Sequence, residues 1–151
     1  MSGARFAGLR LRIVMLGKTR RPEIRALLED YAARIGRFAA VELTELREDS
    51  AASLRKLDLP AAATVVLLDD AGKPQTSRQF AAWLGSARDR GTREIVFLCG
   101  AADGFPEALR RRATQKLSLS SLTFSHELAR VMLAEQLYRA CAILAGHPYP
   151  K

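Results

Sequence analysis

Short apolar runs alternate with segments of helical periodicity along most of the chain, and this alternation restricts the fold more than any single motif does. Residues 11–17, 41–46, 64–69, 94–100 and 116–122 are apolar or alternating runs bounded by turn signals, and each reads as a strand. Between them, residues 22–35 open on a proline in a permitted first-turn position and set Ile24, Leu27, Leu28, Tyr31 and Ile35 along one face. Residues 77–90 form a second helical segment, with Ser77 as its cap, Phe80, Leu84 and Ala87 facing inward and Trp83 on the flank. Residues 106–116 form a third. A longer one, 126–145, carries Leu128, Val131, Met132, Leu133, Leu137 and Ile143, all of which need burial. Residues 48–57 read as a further short helix. Strands alternating with helices predict an α/β fold, a mostly parallel sheet with helices on both faces.

A chain of 151 residues fits one domain, and 48% hydrophobic against 26% charged residues is the balance of a globule with a substantial core. No Gly, Ser or Pro-rich linker divides it and no repeat is visible, so residues 1–151 read as a single domain with 1–8 as a short flexible extension. Cys99 lies in an apolar strand and Cys141 in an apolar helical run. Neither has disulfide-framework or metal-ligand spacing, which suits a reducing cytoplasm and predicts no metal. The opening MSGARFAGLRLRIVMLG lacks the uninterrupted apolar core of an export signal, and no later run approaches a membrane span. The expected setting is therefore cytoplasmic, with no membrane partner. A formal charge of +8 favours a polyanionic partner, nucleic acid first, because each phosphate contact releases condensed counterions.

The stretch 95–124 is the most informative about chemistry. The strand IVFLCG runs into Gly100-Ala101-Ala102-Asp103-Gly104, then a basic helix, then LSLSSLTFSH. Strands that end in glycine loops are where open α/β sheets bind ligands, since glycine admits close approaches that a side chain blocks. The two glycines do not make a dinucleotide fingerprint, and no Gly-Lys-Ser or Gly-Lys-Thr phosphate motif is present, which places a nucleotide hydrolase far behind.

Three blocks in order, LLDDAGKPQTSRQFAAWL, IVFLCGAADGF and LSLSSLTFSHELARVMLAEQLYRACAILAGHPYPK, closely resemble the RlmH family, small bacterial large-subunit ribosomal RNA pseudouridine methyltransferases of the SPOUT class. The likeness runs from about Leu11 to Lys151. It is carried most specifically by Ser118-Leu119-Ser120, Thr123-Phe124-Ser125-His126, Arg130-Val131, Glu135-Gln136 and Tyr138-Arg139. The resemblance implies a SPOUT-type fold with a C-terminal trefoil knot, an S-adenosylmethionine site in the knotted loops, and a homodimer acting on large-subunit (23S) ribosomal RNA, on the assembled ribosome.

Carried over residue by residue, the resemblance places the cofactor loops on Leu68, on Gly100, Ala101 and Gly104, and on Leu119, Ser120, Ser121, Leu122, Thr123 and Phe124. Its substrate nitrogen is ring nitrogen 3 of a pseudouridine, whose imide proton calls for a base or for cations that stabilise the anion. Glu135, Arg139, Tyr149 and Lys151 are the catalytic candidates it implies, with His126 as a further available group and 144–151 as a functional tail that crosses to the partner protomer. Two departures stand out. The loop has Ala101 where the family has a second glycine, and Ala102 with Asp103 where it has Pro or Ser with Glu or Asn. The tail reads Tyr149-Pro150-Lys151 where the family has Tyr-His followed by a base. His147 precedes the Pro-Tyr pair and does not replace the missing imidazole.

Taken alone, several of these residues have plainer explanations. Glu135 and Arg139, four apart on a helix, make an ordinary ion pair; His126 follows Ser125 at a helix start and suits capping; Arg110 to Arg112 suit a solvated face; Phe80 and Trp83 suit a core. Two function classes follow: an S-adenosylmethionine-dependent RNA methyltransferase, and a noncatalytic RNA-binding relative that keeps the fold and the cofactor pocket.

Overall fold

The computed structural model describes residues 6–47, 55–101 and 104–149. Its elements are β1 (Arg10–Leu16), α1 (Pro22–Ile35), β2 (Ala40–Leu46), β3 (Thr64–Pro74), α2 (Ser77–Asp89), β4 (Glu94–Cys99), α3 (Glu107–Arg112), β5 (Gln115–Ser118) and α4 (His126–Leu144). The five strands form one parallel sheet in the order β2-β1-β4-β3-β5. This is the α/β architecture that the alternation predicts.

The continuous apolar runs of β1 and β4 follow from burial on both faces. Leu11, Ile13 and Met15 of β1, with Ile95, Phe97 and Cys99 of β4, meet a core made with α1, α2 and α4. Their neighbours Val14, Leu16, Val96 and Leu98 face the opposite side, which is covered by Leu109 of α3 and by Leu57 and Ala63. Helices thus lie on both faces: α1, α2 and α4 cover one side, and α3 with the segment around Leu57 lies on the other. Phe80 and Trp83 stack on each other at 5.7 Å and meet Phe97 edge-on, so the core reading of both holds. Both cysteines are buried and free, and burial pushes each thiol up to about 12.

Element boundaries shift where side chains compete for the backbone. The fifth strand ends at Ser118 rather than running to residue 122. Ser118 Oγ donates to the Ser120 carbonyl at 2.9 Å and Leu122 N–H donates to Ser120 Oγ at 3.0 Å, local bonds that take the chain out of the ladder. The third helix ends at Arg112 because Ala113 is extended and the Thr114 hydroxyl both donates to the Val65 carbonyl and accepts from the Val65 N–H. Strand β3 is longer than expected: beyond an irregularity after Leu68, Lys73 and Pro74 pair again with Leu117 and Ser118 of β5.

The cap of α2 is Thr76, not Ser77; its side chain accepts from Gln79 N–H while the Gln79 side chain accepts from Thr76 N–H, a reciprocal capping box. The expected flexible extension is also too long at its inner end. Phe6 is fully buried against Phe38, with the Arg88 guanidinium 5.3 Å from its ring centroid. Most of the short helix expected over residues 48–57 lies outside the described residues, as do Ala102, Asp103, Pro150 and Lys151. Among the described residues no helix is long and apolar enough to cross a membrane, and no group of His, Cys, Asp and Glu could hold a metal.

Candidate functional site

Parallel pairing puts the carboxyl ends of β3, β4 and β5 side by side, and the loops that leave them enclose a cavity of about 260 Å³. Its lining includes Leu68, Gly100, Ala101, Gly104, Leu119, Ser120, Leu122, Thr123 and Phe124, all expected as cofactor contacts. Ser121 was expected too, but the lining does not include it. The structure therefore gathers into one concavity residues drawn from three separate stretches of sequence.

Backbone space shapes this cavity. A Cβ at Gly100 would lie 3.1 Å from the Phe105 ring and 3.3 Å from the Gly104 carbonyl oxygen, so a side chain there requires the ring or the turn to give by a few tenths of an ångström. Gly104 has φ +89°, and its N–H donates to the Ala101 carbonyl at 3.0 Å. Asp58 alone among the described non-glycine residues has positive φ, so Ala101 fits its position without strain. The far wall is fastened by Thr123 Oγ1, which donates to Asp70 Oδ2 at 3.0 Å. Leu122 stands 71% exposed at the rim.

Sequence reasoning missed several members of this lining. Asp69 and Asp70 come from the extended β3, Arg110 from α3, and Ala129 from the first turn of α4, beside His126, which the sequence offers only as a further available group. These elements meet only through the strand order. Gly72 was also missed: a Cβ there would sit 3.0 Å from Leu117 N and from the Lys116 carbonyl carbon, so the β3 extension crosses β5 backbone against backbone. Its signal was the turn-like Asp-Ala-Gly-Lys-Pro run inside an apparent loop.

The catalytic candidates form a second centre on α4. Glu135 Oε2 accepts from Arg139 Nη2 at 2.7 Å, from Arg139 Nε at 3.1 Å and from the Tyr149 hydroxyl at 2.8 Å, while Glu135 Oε1 accepts from Gln136 Nε2 at 2.9 Å. Glu135 and Arg139 are thus more than a helix-surface pair, because the tail docks onto them. The Tyr149 ring packs 4.5 Å from that of Tyr138, and the Arg139 guanidinium lies 5.3 Å from its centroid.

Burial, then the hydrogen bond to Glu135, pushes the Tyr149 phenol above its ordinary value, so it stays protonated and donates. The hydrogen bond to Glu135 likewise raises Arg139. His147 accepts from Tyr149 N–H at 3.2 Å and meets Phe38 edge-on, a structural placement. Lys151 lies outside the described residues.

A smaller cavity of about 130 Å³ lies between the two centres in the residues that line it. It shares Leu119 and Phe124 with the first cavity and is also lined by Glu135, Gln136, Ser77 and Met132. His126 follows the cap of α4, where Ser125 Oγ accepts from Leu128 N–H at 3.4 Å, and also borders the first cavity. The arginine run of α3 divides among three roles: Arg110 lines the cavity, Arg111 pairs with Glu107 at 3.5 Å, and Arg112 donates to the Pro60 carbonyl.

Among solved structures, a protein from Bordetella pertussis Tohama I described as a probable methyltransferase matches the fold with a TM-score of 0.61. It is 14% identical, and the match covers 93% of this chain and 99% of that one. Sequence relatives are nearer. Proteins called ribosomal RNA large subunit methyltransferase H from Geotalea daltonii and Pelobacter propionicus are 38% and 41% identical, over 93% of this chain and 99% of each relative. One of the same name from Solibacter usitatus is 42% identical over the same shares. With the strand-end cavity in place and the SPOUT methyltransferase family model matching residues 9–150, the chain belongs to the SPOUT methyltransferase family.

Proposed function

We propose that this protein methylates ring nitrogen 3 of a pseudouridine in large-subunit ribosomal RNA, using S-adenosylmethionine and acting as a homodimer on the assembled ribosome. The observation that carries the reading is the single cavity assembled from Leu68, the Gly100 to Gly104 turn and the 119–124 loop, the segments at which the resemblance places the cofactor. The residues fit that group chemically. Leu68, Leu119 and Phe124 offer apolar walls, Gly100 leaves room for close backbone approach, and Asp69, Asp70 and Arg110 offer both signs of charge to a zwitterion. When bound, S-adenosylmethionine supplies a methyl group on a sulfonium, which leaves readily once a nucleophile is held in line.

What this chain must add is positioning and control of the imide proton. Glu135, already accepting from Arg139, Gln136 and Tyr149, is an orienting group. Arg139 and the protonated Tyr149 are donors, suited to stabilising negative charge that develops on the base. The cavity lined by Glu135 shares the walls Leu119 and Phe124 with the proposed cofactor site, which sets the Glu135 cluster next to it. Leu128 and Met132, four residues apart on α4, are 48% and 42% exposed, which supports pairing through the last helix. Sedimentation showing a stable monomer at micromolar concentration would reject the pairing.

Pro150, where the family has histidine, favours one competing reading, an RNA-binding relative without activity. Tritiated S-adenosylmethionine and ribosomes that lack the modification separate the two. The native protein should label large-subunit RNA at a pseudouridine; no label from either the native protein or Pro150→His would support the noncatalytic reading.

A further inference from the structure

The loop between β1 and α1, Gly17-Lys18-Thr19-Arg20-Arg21, is fastened by its backbone while its charges point outward. Gly17, at φ +87°, donates from its N–H to the Leu46 carbonyl at 2.5 Å. Thr19 is buried: its N–H donates to Glu45 Oε2 at 2.8 Å, its carbonyl accepts from Arg25, and its hydroxyl accepts from Arg130 Nη1 at 2.6 Å. The Arg20 and Arg21 N–H groups donate to the two oxygens of Glu127 at 3.0 and 3.2 Å. Fully buried Arg130 completes the joint by donating to the Leu16 carbonyl at 2.7 Å.

This wiring decides what the loop can bind. Both carboxylates that reach it are turned onto backbone N–H groups, and each also faces an arginine, Arg25 beside Glu45 and Arg130 beside Glu127. The side chains of Lys18, Arg20 and Arg21 are exposed and, among the described residues, have no carboxylate partner. Because Glu127 occupies the Arg20 and Arg21 N–H groups, an incoming anion must be met by side chains. The loop is also fixed in place relative to the cavity, since Glu127 lies in the same helical turn as His126 and Ala129, which line it. By contrast, the α3 arginines are engaged within the protein or in the cavity itself.

We propose that Lys18, Arg20 and Arg21 form a phosphate clamp for the RNA strand that flanks the target nucleotide. The clamp rests on the RNA-methylation reading and extends it to a second, sequence-independent contact. Phosphate contacts of this kind fix the register of a nucleic acid without reading its bases, and a rigid loop holds them at low entropic cost.

The test compares the native protein, Lys18→Ala/Arg20→Ala/Arg21→Ala, and a charge-matched control, Arg37→Ala/Arg90→Ala/Arg93→Ala, whose exposed side chains lie outside the loop and the cavity. Ribosome binding is measured across a salt series, with methyl transfer and cofactor affinity alongside. The clamp variant should lower the salt slope by about 2–3, the contribution of three phosphate contacts, and raise the KM for ribosomes roughly tenfold or more. Its S-adenosylmethionine affinity and kcat should stay within about twofold of native.

The control should leave the slope close to native. An unchanged slope in the clamp variant, or an equal fall in the control, would overturn the proposal. If the triple variant is poorly folded, Lys18→Gln alone should lower the slope by somewhat less than 1, and no change would overturn the clamp equally. Failure of the native protein to transfer methyl would count against the catalytic reading alone, because the binding slope decides the clamp separately.

Discussion

The strand-end cavity and the tail cluster are built on opposite principles although they are neighbours, with Leu119 and Phe124 shared between the first cavity and the smaller one that Glu135 lines. Backbone defines the first: a glycine turn at Gly100 and Gly104 and a serine-rich loop leave open space that a ligand can fill. Side chains define the second, where Glu135, Arg139, Tyr138 and Tyr149 already satisfy and cover one another. A backbone-shaped site accepts added atoms at its tightest point only by shifting a neighbour. A side-chain cluster tolerates reshaping but depends on every donor and acceptor being present. Binding and chemistry should therefore respond to different substitutions.

The sharpest way to break this contrast is Gly100→Val. Its branched side chain meets the Phe105 ring and the Gly104 carbonyl at distances that force the turn to move. Cofactor affinity should fall by more than about a hundredfold, over 2.7 kcal/mol on the affinity scale, while the protein stays folded. Calorimetry checks this, and unchanged affinity would remove the turn from the site.

Deleting residues 149–151 should do the converse. Methyl transfer should fall to the limit of detection while calorimetry gives cofactor affinity within about twofold of native, as expected when an interaction acts in the transition state alone. Pro150→His should preserve or raise the rate. Full methylation by the truncated protein would show the tail to be dispensable.

A smaller effect separates the phenol from the rest of the tail. Tyr149→Phe removes one hydrogen bond to a carboxylate and should slow methyl transfer roughly tenfold, about 1.4 kcal/mol. The raised pKa fixes the sign of the pH response. A phenol pushed above its ordinary value is protonated throughout the neutral range, so the substitution should lower the profile without moving its midpoint. A shifted midpoint would identify Tyr149 as the titrating group.

Much of this arrangement was readable in the sequence, for identifiable reasons. Helix α1 has the predicted ends because Pro22 and the apolar stripe leave no competing start. The segments that line the strand-end cavity were singled out through the family resemblance, as contiguous blocks. What escaped notice depended on contacts between distant residues. Ser77 and Thr76 are both good caps, and only Gln79 reaching back selects Thr76. The Phe6 side chain looks like part of a loose end until Phe38 and Arg88 enclose it. Asp70, Arg110 and Ala129 have no shared local pattern, since three different elements deliver them to the same cavity.

The renewed pairing of β3 with β5 beyond Leu68 also sets an order of events. Lys73 and Pro74 find their partners only when residues 117 and 118 arrive, and α4 must then pack across both α1 and α2. These contacts join parts of the chain far apart in sequence, the kind that slow a folding reaction. Synthesis from the amino end delivers β5, the 119–124 loop and α4 last. A growing chain can assemble β1, β2 and β4 while the cavity is still unformed, so the cavity itself takes shape only when the carboxyl-terminal third is free to fold.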